Sequence, residues 1–256
     1  MIFLKVNFGG FVPLSTVDWR GKAVCTVFLR GCPVRCHYCH NLELQTGQDL
    51  RNIEDIIAMI KESRIVISGV IFSGGEPTMQ KDALVAMAKR CKDMGLLVGV
   101  QTNGVFPGTL EEMLNLNIID LVHLDIKTRW EHYPQLLKVK EKVVDDVKKS
   151  LKICKKAYFE GRLPEFQVVC TLFPGREEDV ICIAKETEGV DFVLQQGVQG
   201  TMPPLEFEDL KKLADKIHRR VRIRTREDGE VTYENNQIII ADSMVLTDIL
   251  QARRNY

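Results

Sequence analysis

The chain has 256 residues with 35 basic and 35 acidic side chains, formal net charge zero, 45% hydrophobic and 27% charged residues. A chain of this length can bury roughly 70% of its unfolded surface without disulfide staples and suits one large domain. The composition excludes a disordered, fibrous or membrane-spanning chain, and the balanced charge removes the electrostatic footprint of a nucleic-acid or anionic-membrane binder. The longest nearly apolar run, residues 65–72, is far short of the ~20 residues a spanning helix needs, and Lys5 and Asn7 interrupt the apolar N-terminal stretch. The expectation is a cytoplasmic protein whose eight cysteines are thiols in a reducing compartment.

Residues 23–29 are apolar and β-branched and run into Arg30-Gly31-Cys32-Pro33, a buried strand ending in a loop. Strand-like apolar runs then recur at 69–73, 96–101, 118–125, 165–172 and 191–195. Between them, helical periodicity predicts helices over 52–63, 80–94, 109–116, 142–160, 176–187 and 205–219. Strands apolar on both faces that alternate with helices imply βαβ units and a parallel sheet, so an α/β fold with chemistry at the strand ends. In the tail, 221–226 and 230–240 alternate around Asp228-Gly229 as a β-hairpin would, and 243–253 reads as a closing helix. The basic stretches 138–156 and 219–226 follow helical and strand periods and read as solvated faces.

Four strand ends carry candidate chemistry. Cys32, Cys36 and Cys39 stand in a C-x3-C-x2-C loop after the first strand, spaced so that three thiolates can converge on one small object. Soft thiolates take zinc, copper(I) or an iron–sulfur cluster. His37 or His40 could complete a zinc site, Cys36 to His40 also matches a haem-attachment pattern, and a C-x-x-C pair suits redox exchange. A [4Fe–4S] cubane on three cysteines leaves one iron open, as a catalytic site requires. Ser73-Gly74-Gly75-Glu76-Pro77 ends the second strand, Gln101-Thr102-Asn103-Gly104 the third, and His123-Leu124-Asp125-Ile126-Lys127 the fourth. Taken singly, the last three read equally well as a βα turn, a turn and a local ion pair. Cys25, Cys91, Cys154, Cys170 and Cys182 fall in apolar patterns and read as core.

The cysteine spacing, with Tyr38 before the third cysteine, resembles the signature of the radical S-adenosylmethionine (SAM) superfamily. The resemblance implies a partial (β/α)6 barrel over residues 1–220, and the hairpin and helix over 221–256 lie outside it. It implies a [4Fe–4S] cluster on Cys32, Cys36 and Cys39, and SAM held by Tyr38, Gly74, Gly75, Glu76, Asn103, Asp125 and Lys127. An electron from the cluster would then cleave SAM to a 5′-deoxyadenosyl radical. Asp125-x-Lys127, together with the segment from Ser15 to Lys22, is similar to the activating enzymes of glycyl radical enzymes, and most to anaerobic ribonucleotide reductase activases, over roughly residues 8–225. That similarity implies hydrogen abstraction from a glycine Cα of a partner enzyme, Asp18 near the reacting glycine, Asp125 and Lys127 in catalysis, and a ferredoxin or flavodoxin as electron donor. Two departures bear on the substrate: Gln101 stands where the pyruvate formate-lyase activase has an aspartate, and Gln195-Gln196-Gly197-Val198 replaces that enzyme's histidine. The alternative is the same radical chemistry on a small molecule, as in 7-carboxy-7-deazaguanine synthases, or on a peptide or nucleic acid.

Overall fold

The computed structural model describes residues 4–36, 38–198, 203–227 and 229–239. Contacts divide the chain into two compact units, Met1–Val169 and Cys170–Tyr256. None of the helices among the described residues is long and apolar enough to cross a membrane.

The first unit holds strands β1 (Lys5–Ser15), β2 (Val24–Leu29), β3 (Leu50–Asn52), β4 (Gly69–Gly74), β5 (Leu97–Thr102), β6 (Leu121–Asp125) and the start of β7 (Glu165–Leu172). Helices α1 (Ile53–Ser63), α2 (Lys81–Asp93), α3 (Pro107–Asn115), α4 (Tyr133–Leu137) and α5 (Glu141–Phe159) lie between them. The sheet order is β3-β1-β2-β4-β5-β6-β7. From β2 to β7 neighbouring strands run parallel, each reached through a helical crossover as the alternating pattern implies. The antiparallel pair β1 and β3 was not expected. Gly9 and Gly10 interrupt β1's apolar pattern, and its pairing with β2 shifts register between Phe8 and Gly10.

In the second unit, α6 (Glu177–Glu186), β8 (Asp191–Gln196) and α7 (Phe207–Ile217) precede β9 (Val221–Arg224), β10 (Glu230–Glu234) and β11 (Gln237–Ile239). β9 runs parallel to β8 and antiparallel to β10. The single strand expected over 230–240 is broken into β10 and β11 by Asn235 and Asn236, both at positive φ (50° and 61°), the geometry of a two-residue hairpin turn. The expected closing helix over 243–253 lies outside the described residues. Arg222 pairs with Asp191 and Glu230, Arg224 with Glu230, and Arg219 donates to the carbonyls of Ala184, Thr187 and Val190, so these basic residues are engaged inside the unit. Cys25, Cys91, Cys154 and Cys170 are buried as expected, but Cys182 is exposed, because α6 buries Val180, Ile183 and Ala184 on another face.

One face of the first unit's sheet is layered by register. At its lower level Trp19 packs with Val24, Ile71 and Leu121, and its indole N–H donates to the Glu165 carboxylate at 3.1 Å. Gly99 makes room for the indole, since a Cβ there would stand 2.4 Å from Ile71 Cδ1 and 3.2 Å from Trp19. Two residues further along, Gln101, His123 and Gln167 are consecutive register partners, with Ser73 hydrogen-bonded to Gln101. Asp125 closes the next level at the C-terminal strand ends.

Candidate active site

The cysteine loop leaves β2 and is held from both sides by backbone. Gly75 N–H donates to Leu29 O and Glu76 N–H to Gly31 O, both at 2.8 Å, while Gly31 and Cys32 N–H donate to Leu44 O (2.7 Å) and Gln45 O (3.2 Å). This contact explains the glycine pair after β4. A Cβ on Gly74, whose φ is +121°, would lie 2.3 Å from Leu29 O, and one on Gly75 would lie 2.3 Å from Gly31 O. The family resemblance implies that these glycines hold SAM. In the structure the first thing they admit is the neighbouring loop's backbone.

Glu76 is likewise occupied. Its carboxylate is fully buried and accepts from Thr78 N–H (3.0 Å), Thr78 Oγ1, Thr102 Oγ1 (2.7 Å) and Asn103 N–H (2.7 Å). Burial pushes its carboxyl pKa up, and the hydrogen bonds from Thr78, Asn103 and Thr102 pull against that shift. The side chain therefore straps the end of β5 to the loop after β4, and it fixes Asn103. Asn103 in turn caps Val105 N–H and directs its Nδ2 at Cys32 Sγ, 3.5 Å away. Thr78 and Thr102, which hold this strap, were not singled out in the sequence. A threonine two residues after a candidate carboxylate is the signal that could have found the first.

The three thiols are half-buried on one loop; Cys32 senses the charge of Cys36 and Cys39, and Cys36 that of Cys39. Burial raises Cys32 to about 11, with Glu76 and the other two thiols adding to the shift, and burial raises Cys36 as well, with Lys127 pulling against that shift. His37 lies outside the described residues. Among the described residues no three His, Cys, Asp or Glu side chains are gathered around a single metal-ion position. A cubane asks for something else, because each of its thiolates binds a different iron.

Just past the end of β6, Lys127 Nζ donates to Asp125 Oδ2 at 2.7 Å, with the Lys127 side chain 14% exposed. Burial works against its charge, but Asp125, the Tyr38 phenol and Cys36 outweigh it and hold the ammonium well above its usual pKa. Tyr38 is buried. Tyr133, also absent from the sequence reading, accepts from Lys127 N–H at 2.9 Å and fixes the end of β6. The structure thus gathers Cys32, Gly74, Gly75, Glu76 and Asn103 into one hydrogen-bonded group, with Cys36, Tyr38, Asp125 and Lys127 in a second group electrostatically joined to it. Asp18 is not among them. It accepts from Thr26 Oγ1 at 2.7 Å, near the N-terminal end of β2. Gln195 and Gln196 belong to the second unit, where they bond Arg224, Leu205 and Arg226.

The family model of the radical SAM superfamily matches residues 26–183, more than half of the chain. The chain belongs to the radical SAM superfamily. Radical SAM enzymes use a [4Fe–4S] cluster and SAM, and this donor set fits the cluster: three half-buried thiols on one loop, Cys32 sensing the charge of both others, with a side-chain amide N–H directed at its sulfur. A Methanocaldococcus jannaschii protein named for glycyl-radical enzyme activation is 33% identical over 243 residues, 87% of this chain and 97% of its own length. The pyruvate formate-lyase-activating enzyme of Clostridium pasteurianum is 36% identical over 40% of this chain and 44% of its own. Among solved structures, TYW1 with a lysine-pyruvate adduct bound superposes with TM-score 0.63 at 16% identity, covering 86% of this chain and 84% of that one. The mixed α/β fold of parallel βα units expected from the sequence is the fold shared there.

Proposed function

We propose that this radical SAM enzyme activates a glycyl radical enzyme by removing a hydrogen atom from a glycine Cα. The observation that carries the reading is the near full-length 33% identity to a protein named for that activity. The Asp125–Lys127 pair beside Cys36 and Tyr38 supports it. In this reading Cys32, Cys36 and Cys39 hold the cluster, which when bound supplies the electron that splits SAM into methionine and a 5′-deoxyadenosyl radical. That radical would take one hydrogen atom, leaving 5′-deoxyadenosine and a glycyl radical on the partner.

The chain's own residues orient and shield. Lys127 presents a permanent positive charge for the SAM carboxylate, with Asp125 holding its direction. Glu76 acts through Asn103 and the loop after β4 more than by direct contact, since its oxygens are already engaged. Buried Tyr38 adds to the electrostatic environment that keeps the Lys127 ammonium charged. The partner proposed is an anaerobic ribonucleotide reductase, with ferredoxin or flavodoxin as electron donor in a cytoplasmic setting. The test is electron paramagnetic resonance of the candidate glycyl radical proteins encoded in the same genome, after incubation with reduced enzyme and SAM. A doublet on one of them supports the reading. No protein radical, with a small metabolite instead accelerating 5′-deoxyadenosine release, overturns it.

A further inference from the structure

Directly below the Asp125 level the sheet carries a row of neutral polar side chains that neither the cluster nor SAM accounts for. Ser73 Oγ donates to Gln101 Oε1 at 2.8 Å, and Gln101 Nε2 faces His123 Nδ1 at 3.5 Å. Gln167 is the next register partner, 2% exposed, and its Oε1 has no hydrogen-bond partner among the described residues. A buried amide oxygen without a donor costs ~1–3 kcal/mol, so its retention in an otherwise close-packed face points to a donor supplied from outside.

The bonding order fixes polarity along the row. Because the Gln101 oxygen accepts from Ser73, its NH2 group is the end that meets His123. Nδ1 of His123 must then accept, which places the ring proton on Nε2. His123 thereby becomes a donor, and Gln167, on the adjacent strand ~4.8 Å away, an acceptor. No charged side chain stands in the row. A carboxylate ligand would have nothing to give Gln167, whereas one extended residue presents its N–H and C=O side by side to the same partner, as in a β ladder.

We propose that His123 and Gln167 form a peptide-group subsite that takes the N–H and C=O of one extended residue of the substrate segment, with Ser73 and Gln101 setting the tautomer. The subsite rests on the reading that the substrate is a protein. It lies two residues, ~6.6 Å, along the strand from Asp125, so a residue held there would lie one level below the Asp125–Lys127 pair. Glycine suits such a residue because the backbone can approach side chains closely where there is no Cβ.

The experiment measures binding of acetyl-Ala-Ala-Gly-Ala-Ala-amide to anaerobically reconstituted enzyme with SAM, beside analogues in which one backbone N–H at a time is replaced by an ester oxygen. On the wild type, the ester at one position should weaken binding about tenfold, the loss of one good hydrogen bond. On Gln167→Met that ester and the parent peptide should bind within about twofold of each other, while Gln167→Glu, which keeps an acceptor oxygen, should restore the discrimination. The wild-type series stands even if Gln167→Met fails to fold. Uniform binding of all esters by the wild type, or equal ester losses in wild type and Gln167→Met, overturns the subsite alone. A wild type that binds none of these peptides, nor acts on any glycyl radical protein, overturns the protein-substrate reading and the subsite with it.

Discussion

Asn103 stands between the cluster loop and the carboxylate strap: its side-chain nitrogen lies 3.5 Å from Cys32 Sγ, while its backbone N–H donates to Glu76 Oε2 at 2.7 Å. Hydrogen bonds to ligating sulfurs are among the factors that set an iron–sulfur potential, because they stabilise the more negative, reduced state. Asn103→Ala removes the donor to sulfur and leaves the backbone strap in place. The midpoint potential of the cluster should fall by about 40 mV, equivalent to about 1 kcal/mol for a one-electron couple. A redox titration followed by electron paramagnetic resonance checks it, and a rise in potential would contradict the assignment of Asn103.

Gly75 and Gly108 make a matched pair. A methyl at 75 meets the backbone oxygens of Gly31 at 2.3 Å and Leu44 at 2.9 Å, neither of which is a flexible side-chain end. Gly75→Ala should therefore cost about 3 kcal/mol by overpacking and lower the iron content after reconstitution, because Gly31 leads directly into Cys32. Nothing stands within 4 Å of a methyl at 108, in the first turn of α3. Gly108→Ala should be neutral or stabilise by about 0.5 kcal/mol. Thermal unfolding and iron analysis of both variants check the contrast. Equal behaviour would mean that the loop junction is looser than described.

How far these relationships could be read beforehand differs by level. Periodicity located the strands and crossover helices because each parallel strand is apolar on both faces and each helix buries one stripe. It missed β1, whose Gly9-Gly10 step and exposed Val12 and Leu14 spoil the alternation, and it ran through Asn235-Asn236, where two left-handed residues turn the chain. Motif spacing found the cysteines and the strand-end residues. It could not show that Glu76 spends its oxygens on Thr78, Thr102 and Asn103, or that Gly74 and Gly75 admit backbone, because those facts belong to contacts between segments distant in sequence. Gln167 stayed invisible for the same reason: one glutamine in an apolar run acquires meaning only from its register with His123.

Lys127 gives the sharpest test of the SAM side. Asp125, hydrogen-bonded to its ammonium, and the charges of Tyr38 and Cys36 keep it charged across the whole physiological range. Lys127→Met preserves the stem and removes the charge. Affinity for SAM should drop about tenfold or more, the value of one charge-assisted contact, with iron and sulfide content retained because the three thiols lie on another loop. Equilibrium dialysis with labelled SAM, run beside iron analysis, separates the two. Unchanged SAM affinity would remove Lys127 from the binding site.

Tyr233 supplies a pH test in the second unit. Its hydroxyl donates to Asp215 Oδ1 at 2.6 Å, and that hydrogen bond, with burial and the nearby charge of Asp215 adding to it, raises the phenol from its ordinary value of 10.0 to about 12. The folded state therefore keeps its proton where the unfolded state has lost it. The contribution is fully present below pH 10.0 and is lost as pH rises toward about 12. Two units would correspond to at most ~2.7 kcal/mol. Asp215 is exposed, and screening by water reduces this to about 1 kcal/mol or less. Denaturant unfolding of the wild type and of Tyr233→Phe between pH 8 and pH 11.5 should show a constant stability gap up to about pH 10 that then narrows. A gap that stays constant to the top of that range would show that the phenol does not titrate with the fold.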